Sequence, residues 1–382
     1  MKKFFDVLKN EFKTFINDQG VILVMVIGVI FYSLFYAVPY ANEVVKEVPF
    51  GIVDFDQTSV SREFVRNIDA TDYVSVVEKV SSLNEAEKKF HEGKISGFAI
   101  IPKDFQKDIY RGKQVSLSLY VDSAYMIIYK AIYTGVMQTA LETGARIEIG
   151  RLVKMGIPKQ TAVALKQPFQ FVQIPLYNAA GGYETYVYPV ILIMILHQTL
   201  IVAFGMLQGT RNEKKIRFCK NDKDIPFILF ARATFYVLLY LLYGAFIFLI
   251  CPALCRYPMS YNLLPLFVLY VLMLYSAVFF AQVLSYCFRT RESSLMILVV
   301  TSLVFIFLPG LIWPKESIPQ LVNLGANFIP ATSAIEGITK VNVQGAVFKQ
   351  VVGNVLWLLF LTAFYFISAI FVTKKLNRDF EQ

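Results

Sequence analysis

The sequence predicts an α-helical integral membrane protein with six transmembrane helices in a one-plus-five arrangement and an inserted extracytoplasmic α/β domain carrying a long helix. Three observations predict this fold class. Apolar residues make up 56% of 382 residues, with mean hydropathy +0.53, which is more than a soluble chain carries. Six apolar stretches are each long enough to cross a hydrocarbon core of about 30 Å, which takes about 20 helical residues. Between the first two stretches lies a soluble-looking insert from Pro39 to Thr185 with 17 Lys+Arg and 17 Asp+Glu.

Residues 1–18 open the chain as a basic amphipathic helix. Phe4, Phe5, Leu8, Phe12, Phe15 and Ile16 recur at helical spacing, with Lys2, Lys3, Lys9 and Lys13 between them, so the helix lies on the membrane surface. The first span (19–38, apolar from Val21 to Val38) contains no charge. It is followed by Pro39 and Tyr40 rather than a small-residue cleavage site, and reads as a retained anchor.

In the insert (39–185), Val48 to Phe55, Tyr73 to Val80, Ile95 to Ile101 and Val115 to Asp122 read as strands. They alternate with helices over Ser59 to Asp69, Ser82 to Glu92 and Lys103 to Arg111. That alternation makes an α/β unit with at least partly parallel strands. Ser82 and Glu85 form a capping-box pattern. Ala124 to Met155 reads as one helix of about 30 residues, near 45 Å long at 1.5 Å per residue, a length suited to a stalk or lever. Phe169 to Tyr177 reads as a returning strand, and Ala179 to Gly182 as a joint before the membrane.

The remaining spans are Tyr188 to Leu207, Phe227 to Cys251, Leu263 to Phe288, Ser293 to Ile312 and Val351 to Val372, within a domain over 186–375 that ends in a tail, 376–382. Arg232 is the one full charge well inside them, close enough to a span end for its stem to snorkel to the interface. The segment 313–350 is too apolar for water and too broken by Pro and Gly to span. It is expected to dip into the outer leaflet as short half-helices, where protein or a cavity must cover the broken backbone.

Net charge +9 suggests nucleic acid until its distribution is read. The insert is neutral. Of the 20 bases outside it, sixteen fall on one side: Lys2, Lys3, Lys9, Lys13, six between Arg211 and Lys223, Arg232, Arg289, Arg291, Lys374, Lys375 and Arg378. Only Arg256, Lys315, Lys340 and Lys349 fall opposite. The basic side is cytoplasmic by the positive-inside rule. Both termini are then inside and the insert outside, as an even number of spans also requires.

Catalytic chemistry is sparse: there are two histidines, no zinc spacing, no phosphate-binding loop and no nucleophile elbow. An enzyme is not expected, nor a resident cofactor or metal. Asp54 and Asp56 share a strand face as a carboxylate pair, but at a strand end such residues usually cap the next helix. His91 reads as a solvated surface residue. His197 and Gln198 lie mid-span, either as a helix-to-helix hydrogen-bonding pair or as part of a substrate path. Glu336 is the acid singled out in the external segment. Cys251 and Cys255 flank Pro252, as a bridge or as two small apolar residues. Ion-coupled transport expects more buried charge than these spans contain.

Leu308-Pro309-Gly310-Leu311-Ile312-Trp313-Pro314, then Ile318-Pro319 and Phe328-Ile329-Pro330-Ala331-Thr332 through Gly337, resemble the last external segment of type-2 ABC exporter permeases. Gly51 to Asp56, Ser59 to Phe64, Gly93 to Phe105 and Leu119 to Asp122 resemble the extracytoplasmic domain of the subgroup with one span, a large domain and five more spans. The resemblance covers nearly the whole chain. It implies the membrane subunit of a type V ABC exporter in the cytoplasmic (inner) membrane, paired with a second permease copy, identical or paralogous. A separate ATP-binding cassette ATPase would hold ATP and Mg. The cargo would be an amphipathic or lipid-like substrate or drug, leaving the cytoplasm or inner leaflet. Membrane lipid is a further expected partner and a periplasmic adaptor a candidate one; nucleic acid is not expected. The alternative is mechanotransmission to an envelope partner without transport. In that family the helix before the first span and the loop after the second contact the ATPase, which by position are Lys2 to Asp18 and 211–224. The contact candidates are Phe12, Arg211, Glu213, Lys214, Lys215 and Arg217. The family's Arg-Glu-x-Gly-Thr after the second span is replaced here by Gly209-Thr210-Arg211-Asn212-Glu213, with Glu213 filling the acidic place.

Overall fold

Apolar helices build one unit of the chain and a small sheet organises the other: Met1–Glu43 with Pro175–Gln382, and Val44–Ile174. The computed structural model describes residues 2–40, 45–166, 183–219, 221–250, 262–288, 290–296, 307–310 and 315–379, with single residues at 169, 174, 176, 177 and 299; side chains of 37–40 and 183–186 are outside that set.

Helix α1 (Lys2–Ile16) is followed by Asp18, whose carboxylate accepts the Val21 N–H (3.1 Å) and starts the next helix. That helix, α2, runs Gln19–Ile22, takes π-helical turns over Leu23–Gly28 and continues through Val29–Tyr40.

The second unit runs β1 (Val48–Asp54), α3 (Ser59–Asp69), β2 (Val74–Val80), α4 (Leu83–His91), β3 (Gly97–Ile101), α5 (Phe105–Tyr110), β4 (Ser118–Val121), α6 (Met126–Lys154) and α7 (Lys159–Lys166). Strand order is β2-β1-β3-β4, with β1 parallel to both neighbours and β4 antiparallel to β3. Phe98 stacks on Tyr120 across that antiparallel pair at 4.8 Å. The core on one face joins Phe50, Ile52, Phe64, Ile68, Ala99 and Ile132; Val53, Ala86, Ile95 and Phe98 form a second cluster. The Asp54 and Asp56 pair serves the backbone. Asp54 accepts the N–H groups of Asp56 and Gln57 and the Ser61 hydroxyl, while Asp56 accepts the Gln106 N–H. The box expected at Ser82 is offset by one residue: Ser82 Oγ takes the Glu85 N–H, but the Glu85 carboxylate takes the N–H of Ser81. A capping box occurs instead at Thr58 and Ser61. The long helix α6 is not a free stalk throughout. Ala131, Ile132 and Val136 pack into the sheet core, and its buried residues end at Thr143.

The first unit resumes with α8 (Tyr183–Glu213), α9 (Ile225–Ala245, extended by π-helical turns over Phe246–Ile250), α10 (Leu263–Leu284), α11 (Gln320–Asn327), α12 (Pro330–Asn342) and α13 (Phe348–Asp379). Among the described residues, five helices are long and apolar enough to cross a membrane: Gln19–Tyr36, Val187–Glu213, Asp222–Ile250, Leu263–Cys287 and Phe348–Asp379. The central one is Val187–Glu213, with 78% of its apolar window buried, against 22% for Gln19–Tyr36 and 28% for Phe348–Asp379, which present most of their surface outward. Lipid offers no hydrophobic drive between helices, so close packing must hold them. Ala203, Ala277, Ala331 and Ala334 are fully buried in the core that α8, α10 and α12 share. The expected span Ser293 to Ile312, the strand Phe169 to Tyr177, the joint Ala179 to Gly182 and the Cys251–Cys255 pair fall largely or wholly outside the described residues; Phe169, Ile174, Leu176 and Tyr177 are not in strands.

Candidate functional site

One end of the helix bundle gathers the start of α2, the ends of α8, α10 and α13 and the start of α9, and α1 lies against it. Apolar residues of α1 are seated on α9: Phe12 and Phe15 both meet the Phe235 ring edge-on (6.3 and 6.0 Å between centroids), and Phe4 meets Phe227 at 6.2 Å. On the same stripe as Phe4, Leu8 and Phe15 sits an acid, Glu11, only 7% exposed. Arg211 Nη2 donates to its Oε1 at 3.1 Å, and the Tyr236 hydroxyl donates to its Oε2 at 3.1 Å. Arg232 Nε lies 3.2 Å from the same Oε2 as an ion pair.

Arg232 does not snorkel, contrary to the sequence expectation: it is 1% exposed. Burying a cation without a partner is prohibitive, but the terminal helix delivers a carboxylate to it. Gln282 accepts from its Nη1 (3.3 Å), and the rings of Phe204 and Phe218 face its guanidinium at 5.0 and 5.8 Å. Burial alone would raise the Glu11 pKa. The charges of Arg232 and Arg211, with hydrogen bonds from Arg211 and Tyr236, outweigh it and hold the carboxyl below its ordinary value.

A second clasp joins three segments. Arg291 pairs two-pronged with Asp18, Nη1 to Oδ2 and Nη2 to Oδ1, both 2.6 Å. Its Nη1 also donates to Thr210 Oγ1 (3.2 Å), and its backbone N–H to Glu213 Oε1 (2.8 Å). Hydrogen bonding from Arg291 lowers the Asp18 pKa, and the same contact raises that of Arg291. Gly209 makes the approach feasible, because a Cβ there would sit 2.6 Å from the Thr290 carbonyl oxygen. From α13, Asn377 accepts the Phe218 N–H (2.9 Å) and donates to the Cys219 carbonyl (3.1 Å) and to Asp222 (3.2 Å), fixing the loop after α8.

The ATPase-contact candidates therefore divide. Arg211 turns inward onto Glu11, leaving 17% of its side chain exposed. Phe12 is half exposed beside Phe235. Glu213, Lys214, Lys215 and Arg217 are exposed where α8 ends, with Lys215 in the left-handed region (φ 48°). Sequence reasoning missed Glu11, Asp18, Arg291 and Asn377. Only Glu11 left a local signal, as an acid within an apolar stripe.

Among the substrate-path candidates, His197 is fully buried and stacks near the Phe280 ring at 6.1 Å; Gln198 follows it, half-buried, on the helix that also bonds Tyr240 through Thr199 (2.9 Å). Glu336 on α12 is held by Lys315 (2.7 Å) and Lys340 (2.8 Å). It lines a polar cavity of about 250 Å³ with Asn327, Ser333, Asn354 and Trp357. Burial works to raise its pKa, but hydrogen bonds and charge from both lysines bring it down to about 2. Among the described residues no group of three or more His, Cys, Asp or Glu is placed to hold a metal.

No curated protein and no solved structure matches the chain. A family model described as ABC-2 family transporter protein matches residues 20–371, over nine-tenths of the 382 residues. An apolar helical bundle clasped by buried ion pairs at its basic end, read with that match, makes the chain a multi-pass membrane protein of the ABC-2 transporter permease family.

Proposed function

We propose that the chain is the permease subunit of an ATP-driven exporter moving an amphipathic or lipid-like substrate out of the cytoplasm or inner leaflet. A separate ATP-binding cassette ATPase, as family membership generally implies, supplies the work. It docks on α1 and on the exposed stretch Glu213 to Arg217, with the basic end cytoplasmic, and a second permease copy completes the path. The observation that carries this reading is Glu11. A surface helix that merely anchored the protein would need no buried carboxylate, whereas this one is pinned to Arg211 at the end of one span and to Arg232 inside the next. A push on α1 or on the α8–α9 loop is thereby delivered to both spans. Arg291 lies at the basic end, bonded to Asp18.

The test is reconstitution of the protein with the ATPase that co-purifies from native membranes, in inside-out vesicles loaded externally with a fluorescent phospholipid or an amphipathic dye. ATP-dependent uptake, lost with Glu11→Ala, is expected. ATPase activity without any uptake would overturn export. It would favour the mechanotransmission reading, to which the 29-residue helix α6, unburied beyond Thr143, lends support.

A further inference from the structure

A second site lies in the sheet unit. The carboxyl ends of β1 and β2 and the flank of α3 enclose a cavity of about 530 Å³, within the range of about 300–1,000 Å³ typical of small-molecule sites. The carboxyl edge of parallel strands is where open α/β sheets take ligands. Its lining is divided by chemistry. Ile52, Val65 and Val80 give a buried apolar floor, and Arg62, Arg66 and Lys79 give an exposed basic rim.

The rim charges are uncompensated. Among the described residues none of the three bases has an ion pair within 4 Å; Arg62 Nη1 donates to the Gln57 carbonyl (2.7 Å). The acids of neighbouring elements are engaged elsewhere: Glu78 and Glu85 with Lys89 (2.6 and 3.3 Å), and Glu63 with Arg146 (2.9 Å). Asp54, the one acid lining the cavity, is saturated by two backbone N–H groups and the Ser61 hydroxyl. Three cations around an apolar floor suit a head that carries several acceptor oxygens joined to an apolar body.

We propose that this cavity binds an amphiphilic anion, a molecule with a phosphate or carboxylate head and a short apolar body, with the head on Arg66 and Lys79 and the body over Ile52, Val65 and Val80. The site stands whether or not the chain exports anything.

The experiment is isothermal titration of full-length protein in phosphatidylcholine nanodiscs with hexyl phosphate. Saturable binding is expected, weakened roughly tenfold or more by Arg66→Gln with Lys79→Gln, since two charge-assisted contacts are lost. The double change Lys103→Gln with Lys130→Gln alters net charge equally at exposed positions that do not line the cavity, and should leave affinity unchanged. Both variants should melt with the wild type. Inorganic phosphate, lacking the body, should bind more weakly, and hexyltrimethylammonium not at all. Nanodiscs containing phosphatidylglycerol separate two sources of the head. Weaker apparent hexyl phosphate binding there, in the wild type only, identifies a lipid headgroup; unchanged binding identifies a soluble amphiphile. The proposal is overturned by no binding to the wild type, by equal binding of the ammonium compound, by equal binding of inorganic phosphate, or by equal losses in the two double variants.

Discussion

Replacing Glu11 with Gln should release α1 from the bundle. The amide keeps the shape of the side chain but removes the one carboxylate that, among the described residues, pairs with Arg232, which at 1% exposure cannot regain water. Deleting one partner of a buried ion pair costs about 3–5 kcal/mol. The contacts that still hold α1 include Phe4 with Phe227, Phe12 and Phe15 with Phe235, and the half-exposed pair Lys3–Asp224, the last worth about 0–1 kcal/mol. At 1.4 kcal/mol per tenfold, a loss of about 3 kcal/mol lowers the docked-to-free ratio of α1 roughly a hundredfold. Hydrogen–deuterium exchange of the peptide spanning α1 reads this directly, and its protection should collapse. Arg232→Met alone should also loosen α1, whereas combining it with Glu11→Gln removes the stranded charge and should restore part of the protection. Unchanged exchange in Glu11→Gln, or single effects that add within about 0.5 kcal/mol in the double variant, would refute the reasoning. The linkage has a definite sign. The native Glu11 pKa lies below the ordinary 4.5, so its contribution is complete above that value and is lost as pH falls through the lower native one. Glu11→Gln should flatten this acid limb.

Reversing Lys214, Lys215 and Arg217 to Glu should lower ATPase recovery in pull-downs several-fold, and unchanged recovery would remove the docking assignment. Cysteines introduced in place of Lys88 and Lys107, whose side chains are 76% and 53% exposed, should react with an impermeant reagent on intact cells; protection there contradicts an outward-facing insert. Glu336→Gln frees Lys315 and Lys340 and should erase the part of the acid destabilisation that the wild type undergoes as pH falls from 4.5 to about 2, read as thermal midpoint against pH; parallel curves would dismiss the pair as a stabilising element. Gly209→Ala must push the Thr290 backbone away from a Cβ 2.6 Å distant, at about 1–3 kcal/mol, and should lower the thermal midpoint, whereas no shift would mean the α8 contact is loose.

The sheet unit was legible almost element by element. The strand at 48–54, the helix at 59–69 and the long helix at 126–154 announce themselves through alternation, capping residues and an unbroken helical pattern, all of which are local. The failures were equally physical. Glu85 was expected to close a box on the Ser82 N–H and reaches back one residue further, to Ser81, because a flexible carboxylate selects among adjacent donors by geometry that spacing does not encode. Arg232 was expected at the interface, because snorkelling is the solution available to a lone helix.

Read alone, the amino-acid sequence determined which segments are apolar enough to cross a bilayer, where charge collects and which stretch alternates strands with helices, since each depends on neighbours within a turn or two. Tertiary structure alone decided that Glu11 meets Arg211 and Tyr236, 200 and 225 residues away. It alone placed Arg291 against Asp18, 273 residues distant, and set Arg66 and Lys79 around one cavity. The two ion pairs, Glu11 with its arginines and Asp18 with Arg291, leave no periodic trace. What brings them together is the high free energy of an uncompensated charge in a dry interior, and the folded chain lowers it with whichever opposite charge its topology places there.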